Sequence, residues 1–71
     1  MNKKELNNRA SAKAFAKITM LKMDIDEMKE HLRRRLYGGV SKEEFELCLE
    51  GTKKELDVWN YMYKLIETDN I

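Results

Sequence analysis

A short segment near the middle of the chain carries a helix stop, a turn and a helix start in direct succession. Gly38 and Gly39 adopt positive φ without steric cost, and this backbone conformation ends many helices. Ser41 stands three residues before Glu44, which is the spacing of a capping box at the start of a helix. The sequence therefore predicts two helices joined by a turn at 38–40.

Apolar residues on both sides of the turn recur at spacings that alternate between three and four, as in a coiled-coil seam. The seam of helix one is Ser11, Ala14, Ile18, Leu21, Ile25, Met28 and Leu32. The seam of helix two is Phe45, Leu49, Thr52, Leu56, Trp59, Tyr63 and Ile66. We predict an all-α fold consisting of one domain, an antiparallel two-helix hairpin of coiled-coil type. Helix one is expected over about 2–37 and helix two over about 41–68.

The two seams align when the chain folds back at the turn. Leu32 then opposes Phe45 beside the turn, and Ser11 opposes Ile66 at the far end. Every layer between them matches an a position with a d position, as antiparallel coiled coils require. This agreement between two separate stretches supports the hairpin.

The start of helix one has two candidates. Asn2 precedes a glutamate at capping-box spacing, which favours a start at the beginning of the chain. Asn7 and Asn8 are poor helix formers and chain ends fray, so a competing start lies at Asn7-Asn8 or at Ser11. Whether residues 1–10 are helical is left open by the sequence.

The size of the chain makes its core marginal. A domain of about 71 residues buries only ~60% of its unfolded surface. One cysteine and one histidine supply neither an internal disulfide nor a zinc site. We therefore expect a partner chain as the additional stabiliser, and the simplest is a second copy that completes a four-helix bundle by dimerisation.

A second set of apolar residues lies off the seams, at the end of the hairpin far from the turn. At about 100° per residue these side chains fall opposite the seam of each helix. They are Ala12, Ala16, Met20, Met23, Val58, Tyr61, Met62 and Leu65. Because a two-helix hairpin buries only one face of each helix, this set is a candidate interaction surface for a homodimer or a larger protein target. The alternative is that helix one bends, or that the N-terminal segment folds back and covers it.

The net charge of +1 hides an asymmetry along the chain. Residues 1–23 carry six basic side chains against one acidic, and the remainder carries eight against twelve. Six basic residues are candidate phosphate contacts, in two groups at opposite ends of the hairpin. They are Arg9, Lys13 and Lys17 on helix one, and Arg33, Arg34 and Arg35 beside the turn. Nucleic-acid binding is therefore an alternative function, and a less favoured one.

Few side chains have the companions that chemistry requires. His31 lies on the polar side of helix one and is expected to be solvated, and Cys48 is expected to be buried and inert. The carboxylates of helix one spread around the helix and lack the paired geometry of acid–base catalysis. We predict no enzymatic activity, no cofactor and no metal.

The apolar runs fall short of the ~20 residues that a membrane span needs. The N-terminus has no apolar signal-peptide core. A cytoplasmic protein with no membrane partner is expected.

Glu55-Leu56-Asp57, followed by Tyr63, resembles the motif of the Spo0E-like aspartyl-phosphate phosphatases, which are also short helical hairpins. The family motif reads Ser-Gln-Glu-Leu-Asp, and Lys53-Lys54 replaces Ser-Gln here. The resemblance implies an alternative function, dephosphorylation of a phosphorylated response regulator. The favoured prediction is a small non-enzymatic interaction module that serves as an adaptor, a chaperone or an inhibitor of a larger protein.

Overall fold

The fold consists of two long helices that lie side by side. A computed structural model describes the backbone of residues 1–69 and the side chains of residues 1–68, with helices α1 (Lys3–Arg33) and α2 (Lys42–Asp69). The helices pack along their length into a hairpin of 48 × 16 × 14 Å, and the described residues form no strand. The predicted all-α hairpin is confirmed, whereas its dimerisation into a four-helix bundle remains a prediction.

A side-chain cap fixes the start of α1. Asn2 has extended backbone angles, and its Oδ1 accepts a hydrogen bond of 2.8 Å from the N–H of Glu5. The helix begins at Lys3, so of the two candidate starts the structure adopts the earlier one. Ser11 lies well inside the helix, where its hydroxyl donates a hydrogen bond to the Glu67 carboxylate of α2.

The end of α1 comes earlier than predicted, at Arg33. The N–H of Leu36 bonds to the carbonyl of His31 at 2.8 Å, and that of Arg35 bonds to Leu32 at 3.1 Å. These two bonds form a Schellman motif, in which one residue must adopt the left-handed conformation that glycine favours. Here that residue is Arg35, with φ of 59°. The prediction was wrong because it assigned this position to a glycine.

The two glycines instead shape a second bend, between the Schellman motif and α2. Gly38 and Gly39 have φ of 62° and 86°, and a Cβ on either would meet no atom within 4 Å. Their positive φ, rather than close packing, is therefore what calls for glycine. Ser41 caps α2 as predicted, since its Oγ accepts a hydrogen bond of 3.1 Å from the N–H of Glu44.

The interface between the helices follows the predicted seams. Each seam residue is buried or half-buried in the structure. The most buried side chains are Ala14, Ile18, Leu21, Ile25 and Leu49. The rings of Phe15 and Tyr63 lie 6.3 Å apart, in agreement with the register predicted near the far end. The core is thin, because each helix buries only one face.

Leu21→Ala is expected to lower the free energy of unfolding by about 2–5 kcal/mol, because it removes buried methyl groups from the seam. Leu47→Ala makes the same chemical change on α2 and is expected to change it by less than ~0.5 kcal/mol. Leu21 is 4% exposed, whereas Leu47 is 72% exposed. Urea unfolding followed by circular dichroism measures both. Equal losses of unfolding free energy in the two variants would contradict the burial of Leu21 in the seam.

Arg35→Gly is expected to raise the free energy of unfolding by about 0.5–1 kcal/mol, because glycine adopts positive φ without steric cost. Arg34→Gly removes the same charge from the adjacent residue and provides the matched control. Arg34 has φ of −86° and ψ of 0°, so glycine relieves nothing there and should lower stability. Thermal unfolding of both variants should therefore give shifts of opposite sign, and shifts of equal sign would argue against strain at Arg35.

Candidate interaction surfaces

All eight residues of the predicted interaction surface are exposed in the hairpin. They are Ala12, Ala16, Met20, Met23, Val58, Tyr61, Met62 and Leu65. The α1 helix is continuous from Lys3, and no part of the described chain folds back over these residues. The alternative in which a bent helix or an N-terminal segment covers them is therefore not what the structure shows.

An ion pair between the helices shows which flank of α1 adjoins which flank of α2. The Lys17 Nζ lies 3.7 Å from the Glu55 Oε1. Met20 follows Lys17 by three residues and Val58 follows Glu55 by three, so each lies about 60° further from the helix interface. Met20 and Val58 therefore share one face of the hairpin.

Two further residues of α2 continue this face towards the far end. Met62 follows Glu55 by seven residues and Leu65 follows Val58 by seven, so each repeats the direction of the earlier residue two turns along. We call Met20, Val58, Met62 and Leu65 the distal patch. Ala12, Ala16, Met23 and Tyr61 lie further round, on the backs of the two helices. The structure thus gathers half of the predicted set on one face.

The α2 part of the distal patch belongs to a longer stripe that the sequence prediction missed. Its members alternate in spacing between three and four, as the seam does. They are Cys48, Gly51, Glu55, Val58, Met62 and Leu65. The repeat was present in the sequence, but glycine and glutamate at two of its positions weaken the apolar signal.

Cys48 corrects one prediction directly. Its side chain is exposed rather than buried. The residue lies on the flank of α2 that carries the stripe, and α1 does not cover that flank. A single partner helix shields the seam and little else.

The six candidate phosphate contacts are not gathered into one surface. Arg9 and Lys13 are exposed near the N-terminus, whereas Lys17 is already paired with Glu55. Beside the turn, Arg33 and Arg34 both bond to the carboxylate of one glutamate. These two groups occupy opposite ends of a molecule 48 Å long.

Glu30 is the carboxylate that holds the two arginines. Its Oε1 accepts from Arg33 Nη2 at 2.6 Å and from Arg34 Nε at 2.7 Å, and its Oε2 accepts from Arg33 Nε at 3.0 Å. The hydrogen bonds from Arg33 are the main reason that the pKa of Glu30 lies below its ordinary value, and Arg34 adds to the effect. The same bonds raise the pKa of Arg33. Of the three arginines beside the turn, only Arg35 has no carboxylate partner in the described part of the chain.

Arg35 instead faces an open groove of about 590 Å³ between the two helices, which we call the turn groove. Its basic lining residues are Lys29, Arg33, Arg35, Lys42 and Lys53. Its remaining lining residues are Leu32, Leu49, Tyr37, Glu46 and Glu50. The groove is lined by residues of α1, of α2 and of the segment between Arg33 and Lys42. The pattern of either helix alone therefore could not predict it.

The residues that resemble the Spo0E-like motif do not converge in the structure. Glu55 is paired with Lys17, and Leu56 is half-buried in the seam. Asp57 follows Glu55 by two residues, so it points about 200° away around α2. The phosphatase function remains a prediction, and this arrangement of carboxylates does not favour it.

Comparison of the chain with protein-family models, with curated proteins and with solved structures finds no match. Among the described residues, no group of three histidine, cysteine or acidic side chains is placed to hold a metal ion. Neither described helix combines the length and the apolar character that crossing a membrane requires. Function is therefore inferred from the two surfaces themselves.

Arg33→Gln is expected to raise the pKa of Glu30, because the strongest hydrogen bonds to the carboxylate are lost while that of Arg34 remains. Arg35→Gln removes the same charge nearby and should leave this pKa unchanged. An NMR titration of the glutamate side-chain carboxyl carbons measures both, and an unchanged pKa in Arg33→Gln would refute the assignment.

The lowered pKa of Glu30 also determines how the contribution of this carboxylate to stability changes with pH. Because the folded value lies below the unfolded one, the stabilisation is complete above the unfolded pKa and is lost as the pH falls through the folded pKa. Above the unfolded pKa of Glu30, the contribution of this carboxylate to stability should not vary with pH.

Proposed function

We propose that this protein is a small non-enzymatic interaction module that self-associates through the distal patch. In this proposal it acts by occupying the surface of a larger protein, as an adaptor, chaperone or inhibitor, and it does so in the cytoplasm. The observation that carries the proposal is an apolar patch left exposed on a hairpin with a thin core. Val58 and Leu65 are more than half exposed, and so is Met20.

The geometry of the α2 stripe suits a second copy. From Cys48 to Leu65 it extends about 25 Å along the helix. Two such stripes pack against each other by a two-fold axis, because a heptad surface is complementary to itself. The product is a four-helix bundle in which each hairpin contributes two helices. Burying a completely exposed Val, Leu or Met side chain contributes about 1.5–3 kcal/mol. The side chains of the distal patch are 40–58% exposed in the hairpin, so each would contribute roughly half of that.

The ion pair between Glu55 of the stripe and Lys17 of α1 is compatible with this packing. Lys17 and Glu55 are partly exposed, at 39% and 49% of their side-chain surface. A second copy brings another Lys17–Glu55 pair to the same interface, where opposite charges can pair between subunits. Such pairs at the edge of an apolar seam select register and orientation. The ion pair thus specifies the alignment while the apolar residues provide the free energy.

The nucleic-acid alternative gains no comparable support. Lys17, Arg33 and Arg34 are paired with carboxylates of this chain. A phosphate backbone would have to displace these partners and to bridge two distant basic groups. This function remains a prediction, which binding to mixed-sequence DNA and RNA at several salt concentrations would test.

Met20→Glu combined with Met62→Glu is expected to convert a dimer into a monomer, because it places four carboxylates in the two-fold interface. Sedimentation equilibrium measures the mass of the wild type and of the variant. Both side chains are exposed in the hairpin, so the helical content of the variant should be retained.

The matched control is Thr19→Glu combined with Asn60→Glu. These residues lie at nearly the same heights along α1 and α2 but on the other flank of the hairpin. The control adds the same charge and should remain dimeric. A wild type that sediments as a monomer up to its solubility limit would eliminate self-association and leave a foreign protein as the occupant of the patch.

A further inference from the structure

The turn groove combines an apolar lining with an excess of basic over acidic side chains. We propose that it binds a short acidic peptide segment of a partner protein, one that carries an apolar side chain between its carboxylates. This site is separate from the distal patch and does not depend on self-association.

The charge of the groove is the first observation. Five basic and two acidic side chains line it. Lys42 lies 3.9 Å from Glu46, and Arg33 is bonded to Glu30. Lys29, Arg35 and Lys53 pair with no carboxylate among the described residues. Three cations of the groove therefore lack an ion-pair partner within the described residues, against one unpaired carboxylate, Glu50. This excess of positive charge is complementary to an acidic ligand, and such complementarity speeds association and selects acidic ligands.

The apolar lining is the second observation. Leu49 is 6% exposed, and Leu32 and Tyr37 are half-buried. Of the five basic side chains, all but Lys53 are exposed. We therefore place the apolar side chains at the floor of the groove and the basic ones at its rim. A groove of about 590 Å³ is within the range that accommodates a small ligand or a few residues of peptide. The floor suits an apolar side chain and the rim suits the carboxylates beside it.

The conformation of Arg35 is the third observation. A left-handed residue with a side chain is strained where glycine would not be, and such strain is concentrated at functional sites. The chain places arginine at this position, where the residue lines the groove. A binding role for the guanidinium accounts for an arginine at a position that the backbone alone would assign to glycine.

The acidic residues of α2 distinguish a short peptide from a long polyanion. Glu46 and Glu50 line the groove themselves. Residues 42–69 carry four lysines against eight acidic side chains. A nucleic-acid backbone carries closely spaced charges along its whole length and would be repelled on leaving the groove. A peptide can place its few carboxylates beside the cations alone.

Fluorescence anisotropy with labelled peptides tests the proposal. The probe is a short peptide that alternates Glu with Leu and Phe, and its control replaces each Glu by Gln. The acidic peptide should bind the wild type, and added salt should weaken the complex. Lys29→Gln, Arg35→Gly and Lys53→Gln combined should reduce affinity about tenfold or more. Arg9→Gln combined with Lys13→Gln removes exposed cations far from the groove and should leave affinity unchanged.

Arg35→Gly alone separates recognition from a structural role. It should weaken peptide binding while the midpoint of thermal unfolding rises, since glycine suits the backbone there. Weaker binding that merely accompanies a loss of folding would overturn the role assigned to the arginine. An unchanged affinity for the peptide would overturn that role as well.

Three other results would overturn the proposal as a whole. They are no binding of the acidic peptide, equal binding of its glutamine control, and a preference for inorganic phosphate or mixed-sequence DNA over the peptide. The self-association experiment reads mass rather than peptide affinity, so the failure of either proposal is recognised independently.

Discussion

The hairpin depends on one constraint, that two helices share a single seam. Ile18, Leu21 and Ile25 are buried along it, and the other faces of both helices remain open to solvent. Within the described part of the chain, twelve large apolar side chains stay exposed. Folding therefore removes only part of the apolar surface from water, and the free energy available from the core is correspondingly small. A chain with this architecture gains more from a partner than a compact domain would, because its unused apolar residues already form ordered stripes.

The helices were predictable because their signals are local. Asn2 and Ser41 are followed by glutamates at the spacing that a cap requires, and both caps form. The alternating seam is similarly contained in each helix. The end of α1 was less predictable, because glycine marks positive φ without excluding it elsewhere. Arg35 takes the left-handed position, and the glycines are used for a later bend. Which residue adopts positive φ at the end of α1 depends on how the segment between Arg33 and Lys42 joins the two helices. That path is set by the packing of the hairpin.

The pattern within each helix predicted which residues are exposed, but the surfaces that combine residues of both helices were not predictable from it. Helical periodicity identified the exposed residues of α1 and α2, but not which of them share a face. That step required a contact between the helices, and the Lys17–Glu55 pair supplies it. The pair joins Met20 to Val58, Met62 and Leu65, and leaves the other four residues apart. The turn groove lay further beyond reach, since its cations come from Lys29, Arg35 and Lys53, which only the folded hairpin brings together.

The two proposed surfaces lie at opposite ends of the hairpin and on opposite flanks. Lys53 precedes Glu55 by two residues, so it faces about 200° away from the flank that carries the distal patch. A dimer formed through that patch therefore leaves both turn grooves accessible. If the two copies pack antiparallel, the grooves lie at opposite ends of the bundle; if they pack parallel, both lie at one end. A target with two acidic segments would bind the parallel arrangement with the advantage of effective concentration, whereas the antiparallel arrangement would link two separate targets. The orientation of the dimer thus decides whether the module strengthens one interaction or bridges two.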